Sequence, residues 1–142
     1  MSRGRGFYVI NAKKTIAVCA SVIGITAGMA VFLPATASAA TYGGQCGKGY
    51  DVIDSHDIVG GTAFLTYNGK NNCVVTVRDQ PGKPVRMGAG LRRSGDSRAV
   101  VVDDAEYTEF AGPVKVEAKG ECIDWGGLIG DDEWQVFKVH CG

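Results

Sequence analysis

The segment with the clearest potential for acid–base chemistry is residues 54–57, in which Ser55 and His56 lie between two aspartates. A hydrolase needs a nucleophile such as a hydroxyl, a base, and a group that orients the base. In an extended strand, however, Asp54 and His56 share a face while Ser55 points to the opposite side. We therefore expect a polar loop or an exposed strand edge here. The competing hypothesis is a small hydrolase that uses Asp54 and His56.

Other signatures of catalysis or metal binding are missing from the sequence. No serine occupies the glycine-flanked turn of α/β-hydrolases, and no histidines have the helical spacing of zinc proteases. The acidic clusters at 103–104 and 131–133 lack the alternating pattern of a calcium-binding loop, and solvated turns explain them better. We predict a non-enzymatic protein that has no catalytic residue, metal or cofactor.

Four cysteines lie in residues 41–142, and their spacing suits disulfides better than a metal site. The intervals between them are 26, 48 and 18 residues, whereas structural zinc sites use closely paired ligands. An even number of cysteines in a domain of this size is typical of a disulfide framework if the domain is exported. They are Cys46, Cys73, Cys122 and Cys141.

The end of the chain indicates how these cysteines pair. If residues 130–133 form a four-residue hairpin loop, the register that this loop dictates sets Cys122 opposite Cys141. Directly opposed Cβ atoms lie about 4.5–5.5 Å apart, close to the ~3.5–4.5 Å of a disulfide. Of the three possible pairings we therefore favour Cys122–Cys141, which leaves Cys46–Cys73.

Trp125 and Trp134 are the candidate binding aromatics. Flat aromatic side chains stack on sugars or bases, so the pair could form an aromatic surface. The alternative, which we favour, is cross-strand packing inside the terminal hairpin, where tryptophan contributes much of the buried area. Gly126 and Gly127 would then mark a bulge or the close approach of another element.

Composition and alternation predict an all-β fold that positions these residues. Residues 41–142 contain thirteen valines, three leucines and seventeen glycines, and valine favours strands whereas leucine favours helices. Apolar and polar residues alternate over 84–93 and 114–119, which indicates half-buried strands. A hairpin is predicted around a five-residue loop at 68–72, and we interpret 107–113 as a packed connection. About seven short strands predict a small antiparallel β-sandwich or barrel, stapled by disulfides.

Residues 1–40 have the three parts of a secretory signal peptide. Four basic residues and no acid precede an uncharged stretch at 15–33, and small residues follow it. We expect cleavage after Ala39 or Ala40, which leaves a single secreted β-domain of residues 41–142. The alternative is a membrane anchor, because the uncharged stretch approaches the ~18 residues that span a bilayer. Its moderate hydrophobicity and the small residues after it favour cleavage.

The charge of the predicted mature domain limits the class of partner. Residues 41–142 carry eleven basic and all fifteen acidic residues, a net charge of −4, although the full chain is neutral. Such a domain is unsuited to the phosphates of nucleic acids or to an anionic lipid surface. We expect no nucleic-acid partner and no stable membrane insertion after signal cleavage.

Five stretches spread over nearly all of 42–142 carry a resemblance to a known family: 46–54, 72–78, 107–114, 122–127 and 139–142. Together they include the four cysteines in order, whereas residues 83–106 match least. On these residues the chain resembles the spore-associated protein A family of small secreted proteins from streptomycete-type actinobacteria. The resemblance implies a protein on or around spores and aerial growth, and it implies no reaction, cofactor or catalytic residue.

We therefore expect a secreted protein associated with the spore or cell surface, whose partner is an unknown extracellular or spore-surface component. The alternative function is a secreted inhibitor or a ligand-binding module. An inhibitor needs an exposed loop held rigid near a disulfide, and only the segments beside Cys73 and Cys122 qualify. Neither segment contains an evident protease-bait sequence.

Overall fold

A computed structural model describes residues 38–142, and the predicted signal segment before residue 38 lies outside the described residues. In the described part every regular element is a β-strand, and no helix is long and apolar enough to cross a membrane. The strands in chain order are β1 (Asp51–Ile58), β2 (Gly61–Tyr67), β3 (Asn71–Arg78), β4 (Val85–Arg93), β5 (Val101–Tyr107), β6 (Phe110–Glu117), β7 (Ile123–Ile129) and β8 (Asp132–Val139).

These strands form two four-stranded antiparallel sheets. The first sheet has the order β1-β2-β3-β6, and the second sheet has the order β5-β4-β7-β8. Their inner faces meet in the main core, which includes Leu65 and Val74 of the first sheet and Met87, Leu91 and Trp125 of the second. Two packed antiparallel sheets are the arrangement of a β-sandwich. The all-β prediction is therefore confirmed.

A second core lies on the outer face of the first sheet. Along β3, Val74 belongs to the main core, whereas its neighbours Cys73 and Val75 belong to this second cluster. Such alternation follows from the pleat, which sends successive side chains to opposite faces. Residues 40–50, which we call the N-terminal cover, pack over this outer face and contribute the buried Cys46 to the cluster. The first sheet is therefore buried on both sides at its centre.

The β2–β3 hairpin is present, with a shorter turn than predicted. Asn71 already belongs to β3, so the connection is residues 68–70. The side chain of Asn68 accepts hydrogen bonds from the backbone amides of Lys70 and Asn71, at 3.1 and 2.7 Å. An asparagine that bonds the backbone two and three residues onward is a common way to close a turn.

Two interpretations of the region around residue 105 are wrong. The segment 107–113 is not a packed connection, because Tyr107 ends β5 and most of the remaining residues form β6. Asp103 and Asp104 lie in β5 and not in a turn. Asp103 accepts hydrogen bonds from the Tyr107 hydroxyl and the Gly112 amide, whereas Asp104 pairs with an arginine of β4. Aspartate is depleted in strands, and these two are accommodated because one carboxylate accepts two hydrogen bonds and the other pairs with an arginine.

The terminal hairpin also differs from its prediction. Ile129 pairs with Asp132, so the turn contains residues 130–131 and not the predicted four residues. Gly130 has a φ of 61°, a conformation that a two-residue hairpin turn requires and that glycine adopts without steric cost. The cysteine pairing is nevertheless the predicted one, Cys122 with Cys141.

Candidate functional site

The outer face of the second sheet carries a groove whose floor is glycine. Gly88 and Gly90 alternate along β4 with core residues, and Gly126 of β7 pairs directly with Gly90. Three adjacent positions without side chains leave the backbone as the floor of a groove of about 260 Å³. From inside the sandwich, Thr76 Oγ1 of β3 donates a 2.7 Å hydrogen bond to the Gly88 carbonyl. This bond ties the floor to the first sheet.

The walls of this glycine groove are side chains from the two edge strands. Strand register places Val102 of β5 beside Gly90 on one side, and Gln135 of β8 beside Gly126 on the other. Val102 is 59% exposed, and Phe137 farther along β8 is 54% exposed. The walls therefore combine apolar and polar side chains, and nothing covers the groove within residues 38–142.

One end of the groove is formed by an exposed ion pair. Arg86 donates from Nε and Nη2 to the two carboxylate oxygens of Asp104, at 3.0 and 2.7 Å. This bidentate geometry lowers the pKa of Asp104, chiefly through the hydrogen bond from Arg86, and raises the pKa of Arg86 for the same reason. Both groups are therefore charged at neutral pH and fixed in orientation.

The opposite end is organised by Asp124, which is 7% exposed. Its carboxylate accepts hydrogen bonds from Ser94 Oγ at 2.5 Å, Arg92 Nε at 2.7 Å and the Lys138 amide at 2.8 Å. Burial by itself raises the pKa of Asp124, but these three hydrogen bonds and the Arg92 charge outweigh it, so the pKa lies below its ordinary value. Asp124 is an ionised anchor between β4, β7 and β8.

The Asp124 anchor also explains the terminal disulfide. The two-residue turn alone would set Cys122 opposite Val139, but a bulge adds one residue to β8 between Val136 and Val139. Lys138 in this bulge has a φ of 55°, and its amide is the one that Asp124 accepts. A further residue with positive φ follows at position 140, and Cys141 then bonds Cys122. The predicted pairing is present although the predicted loop is wrong.

The other bridge, Cys46–Cys73, is also present, and it joins the N-terminal cover to β3 with a Cα–Cα distance of 6.1 Å. Both cysteines are almost fully buried. The ring of Tyr42 lies 6.1 Å from that of Phe64, and its hydroxyl accepts a hydrogen bond from the Cys46 amide. The cover is thus held by a covalent bond, aromatic packing and a hydrogen bond.

The two tryptophans do not form an exposed aromatic surface. Trp125 is 2% exposed in the main core and packs edge-to-face against Trp134, with ring centroids 4.9 Å apart. Trp134 is partly buried and stacks on His56 at 3.9 Å. The favoured prediction, cross-strand packing within the terminal hairpin, is confirmed, and the alternative of a joint aromatic surface is wrong because alternation along β7 sends Trp125 inward. Phe137 is the exposed aromatic residue at the groove, and sequence reasoning missed it.

Residues 54–57 lie on β1, at an edge of the first sheet, so the prediction of an exposed strand edge is confirmed. Asp54 pairs with His140 at 2.9 Å, whereas His56 stacks on Trp134. Asp57 accepts a hydrogen bond from the Thr62 hydroxyl. The residues of the hypothetical hydrolase thus engage different partners.

Comparison with known proteins places the chain in a family. It is 40% identical over 134 aligned residues to Spore-associated protein A of Streptomyces coelicolor, and the match covers 89% of this chain and 86% of the relative. The chain belongs to the spore-associated protein A family. No protein-family model and no solved structure matches it.

Membership of the spore-associated protein A family agrees with the bridges described above. Disulfides persist in oxidising surroundings outside the cytosol, and the Streptomyces coelicolor relative is named for an association with spores. The two disulfides of this family member therefore fit an extracellular or surface location.

The geometry of this family member also bears on the inhibitor alternative. The segment beside Cys73 is the buried strand β3 and not an exposed loop. Residues 119–121, before Cys122, form an exposed turn that lies near the terminal disulfide. Of the two segments considered from the sequence, only this turn has the exposure that an inhibitory loop requires.

Proposed function

We propose that the protein is a secreted, non-enzymatic binding protein of the spore or cell surface, and that its ligand lies in the glycine groove. The observation that carries the proposal is the open outer face of the second sheet, where backbone forms the floor and ordered side chains form the walls and ends. Concave sites with apolar walls and a few fixed polar groups are typical of ligand binding. The family and the two disulfides support the surface location.

The electrostatics of the groove suit recognition better than proton transfer. A general acid or base works best when its pKa lies near the operating pH. Asp104 and Asp124 instead have pKa values below the ordinary carboxyl value, and each is paired with an arginine. Both carboxylates remain ionised acceptors at neutral pH, with arginine donors beside them.

The balance of charge in the groove favours a neutral ligand that is rich in hydroxyl groups. The lining contains two arginines and three acidic residues, so a polyanion gains no net attraction. Arginine supplies only donors, carboxylates supply only acceptors, and Gln135 supplies both, so neighbouring hydroxyls find partners of either kind. The exposed ring of Phe137 adds a flat apolar surface of the kind that packs against a sugar ring. We therefore propose a polysaccharide of the spore or cell surface as the ligand.

Co-sedimentation of the mature protein with insoluble polysaccharides tests this function. Chitin, cellulose and cell-wall sacculi from an actinomycete are the probes, and the bound fraction is measured after washing. We expect saturable binding to at least one of them and no turnover of the bound polymer. Failure to bind any of the three, or release of soluble sugar by the protein, would contradict the proposal.

A variant that fills the groove gives the matched control. A Cβ at Gly90 meets only Val102, at 3.9 Å, so Gly90→Val occupies the groove without disturbing the backbone. Gly82→Val adds the same atoms at an exposed glycine outside the groove, where the nearest contact is the flexible Arg78 side chain at 3.5 Å. We expect Gly90→Val to weaken binding at least about tenfold, about 1.4 kcal/mol, because the added side chain takes the space that the ligand would occupy. Gly82→Val should bind as the wild type does.

A further inference from the structure

The first ordered contact of the N-terminal cover is made by the backbone nitrogen of Ala40. This nitrogen donates a 2.8 Å hydrogen bond to Oδ1 of Asp79, 39 residues away in sequence. Ala40 is partly buried and packs against the second core, whereas Ser38 and Ala39 are exposed. The cover therefore begins to pack at Ala40 and not before it.

We infer that a signal peptidase cuts between Ala39 and Ala40, and that the amino group released there forms an ion pair with Asp79. Hydrolysis adds one water across the peptide bond, so Ala39 leaves with a carboxylate and Ala40 acquires an ammonium group. The nitrogen that already donates to Asp79 then carries a positive charge and three donors. Charge-assisted hydrogen bonds are roughly twice as strong as neutral ones, so processing strengthens this contact.

The surroundings of Ala40 suit a positive charge. Ser38 and Ala39 line a shallow depression of about 240 Å³ that Asp57 and Asp79 also line. Asp79 is fixed there, since its own amide donates a 2.9 Å hydrogen bond to the Gly60 carbonyl. Removal of the two exposed residues leaves the new ammonium group beside the Asp79 carboxylate, at the edge of a depression that Asp57 also lines.

The alternative cut, after Ala40, gives a chain that lacks this contact. Its first residue would be Thr41, and the atom that reaches Asp79 would leave with the signal. The sequence admits both cleavage sites, and only the cut before Ala40 keeps this contact. Cleavage before Ala40 leaves the first residue of the N-terminal cover bound to Asp79. Export would therefore also strengthen the packing of the cover on the first sheet.

Intact-mass measurement of the protein secreted by a host that exports it is the first test. This inference rests on the proposed export. The measurement can contradict the cleavage site without contradicting export. A mature chain that starts at Ala40 supports the inference. A secreted chain that starts at Thr41 or elsewhere overturns it and leaves export standing, whereas a full-length chain confined to the cell overturns both.

A thermodynamic cycle tests the ion pair itself. Chains that start at Ala40 and at Thr41 are prepared, each with Asp79 and with Asp79→Asn, and their melting temperatures are compared. We expect Asp79→Asn to lower the melting temperature of the Ala40 chain by about 2–6 °C and that of the Thr41 chain by much less. Equal shifts in both backgrounds would overturn the pairing.

Acetylation of the Ala40 amino group is the matched chemical control. It keeps an N–H donor at the same position but removes the charge. The acetylated Ala40 chain should show a smaller response to Asp79→Asn than the free-amine chain. An unchanged response would mean that the charge contributes nothing, and it would contradict the ion pair.

Discussion

The two sheets of this sandwich differ in how their outer faces are treated. The outer face of the first sheet is packed beneath the N-terminal cover, with Cys46 and Cys73 joined in a buried disulfide. The outer face of the second sheet has no such cover within the described residues, and it holds the glycine groove. The outer face of the first sheet thus contributes to stability, whereas the outer face of the second sheet is free to contact a ligand. In this fold the disulfide nearest the core and the candidate binding surface lie on opposite sides of the molecule.

Removing the disulfide beneath the N-terminal cover should cause the largest loss of stability. Replacing Cys46 and Cys73 together by alanine removes a bridge that closes a loop of 27 residues, and we expect a loss of about 2–5 kcal/mol in the free energy of unfolding. Urea unfolding measures the change. The corresponding double alanine variant of Cys122 and Cys141 should lose less, because Cys141 is exposed and Cys122 is only half-buried. A larger loss from the terminal pair would contradict the assignment of stability to the covered side.

The two faces of the second sheet should respond differently to an added methyl group. A Cβ at Gly127, on the inner face, would lie 2.5 Å from Thr76 Oγ1 and 2.8 Å from the Ala63 Cβ. Gly127→Ala should therefore cost about 1–3 kcal/mol of stability. Gly90→Ala, on the open face, should be neutral or stabilising by up to about 1 kcal/mol, because alanine suits a strand interior better than glycine. Similar losses in both variants, measured by thermal unfolding, would remove the distinction between the faces.

Asp124, at the end of the groove, should contribute as much to the free energy of unfolding as the glycine at position 127 does. Asp124→Ala leaves three hydrogen-bond donors without their acceptor, and we expect a loss of about 1–3 kcal/mol. Asp124→Asn keeps an acceptor and should lose less. Urea unfolding of both variants provides the comparison. An alanine variant as stable as the wild type would show that the Lys138 bulge does not depend on Asp124.

The pH dependence of stability should carry a smaller signature of the same carboxylate. The folded-state pKa of Asp124 lies below its unfolded value, which is about 3.9. Its contribution is therefore fully present above that value and is lost as the pH falls through the lower folded-state pKa. Melting temperatures measured from about pH 5 to pH 2 should fall less steeply in Asp124→Asn than in the wild type. Parallel curves would contradict this assignment.

Local pattern was enough to predict the class of fold. The valine-rich alternating segments became strands because side-chain alternation and burial on one face are local properties, as in β4. The pairing of Cys122 with Cys141 was correct although its derivation was not. The predicted loop was two residues too long, and the bulge recovers only one residue of that difference; the positive-φ residue at position 140 then lets Cys141 reach Cys122. The bulge could not be recognised in the sequence because Phe137 lies in it. An apolar residue at this position continues the strand-like pattern of β8, although its side chain is exposed in the structure.

The groove itself could not be predicted from local pattern. Gly90 and Gly126 are 36 positions apart in the chain, and they become neighbours only because β4 pairs with β7. Strand order between distant segments depends on the packing of the whole domain and leaves no periodic signal. The Asp124 network has the same origin, since its donors come from two distant segments, the end of β4 with Arg92 and Ser94 and the end of β8 with Lys138.

Nuclear magnetic resonance titration of the mature protein tests the central claim most directly. Amide shifts are followed while soluble oligosaccharides, prepared from the polymer that the protein binds, are added. We predict that the shifted amides cluster at Gly88, Gly90, Gly126 and Gln135, on the open face of the second sheet, and that Gly90→Val abolishes them. Shifts that cluster instead on the N-terminal cover of the first sheet would contradict the division of roles between the two sheets.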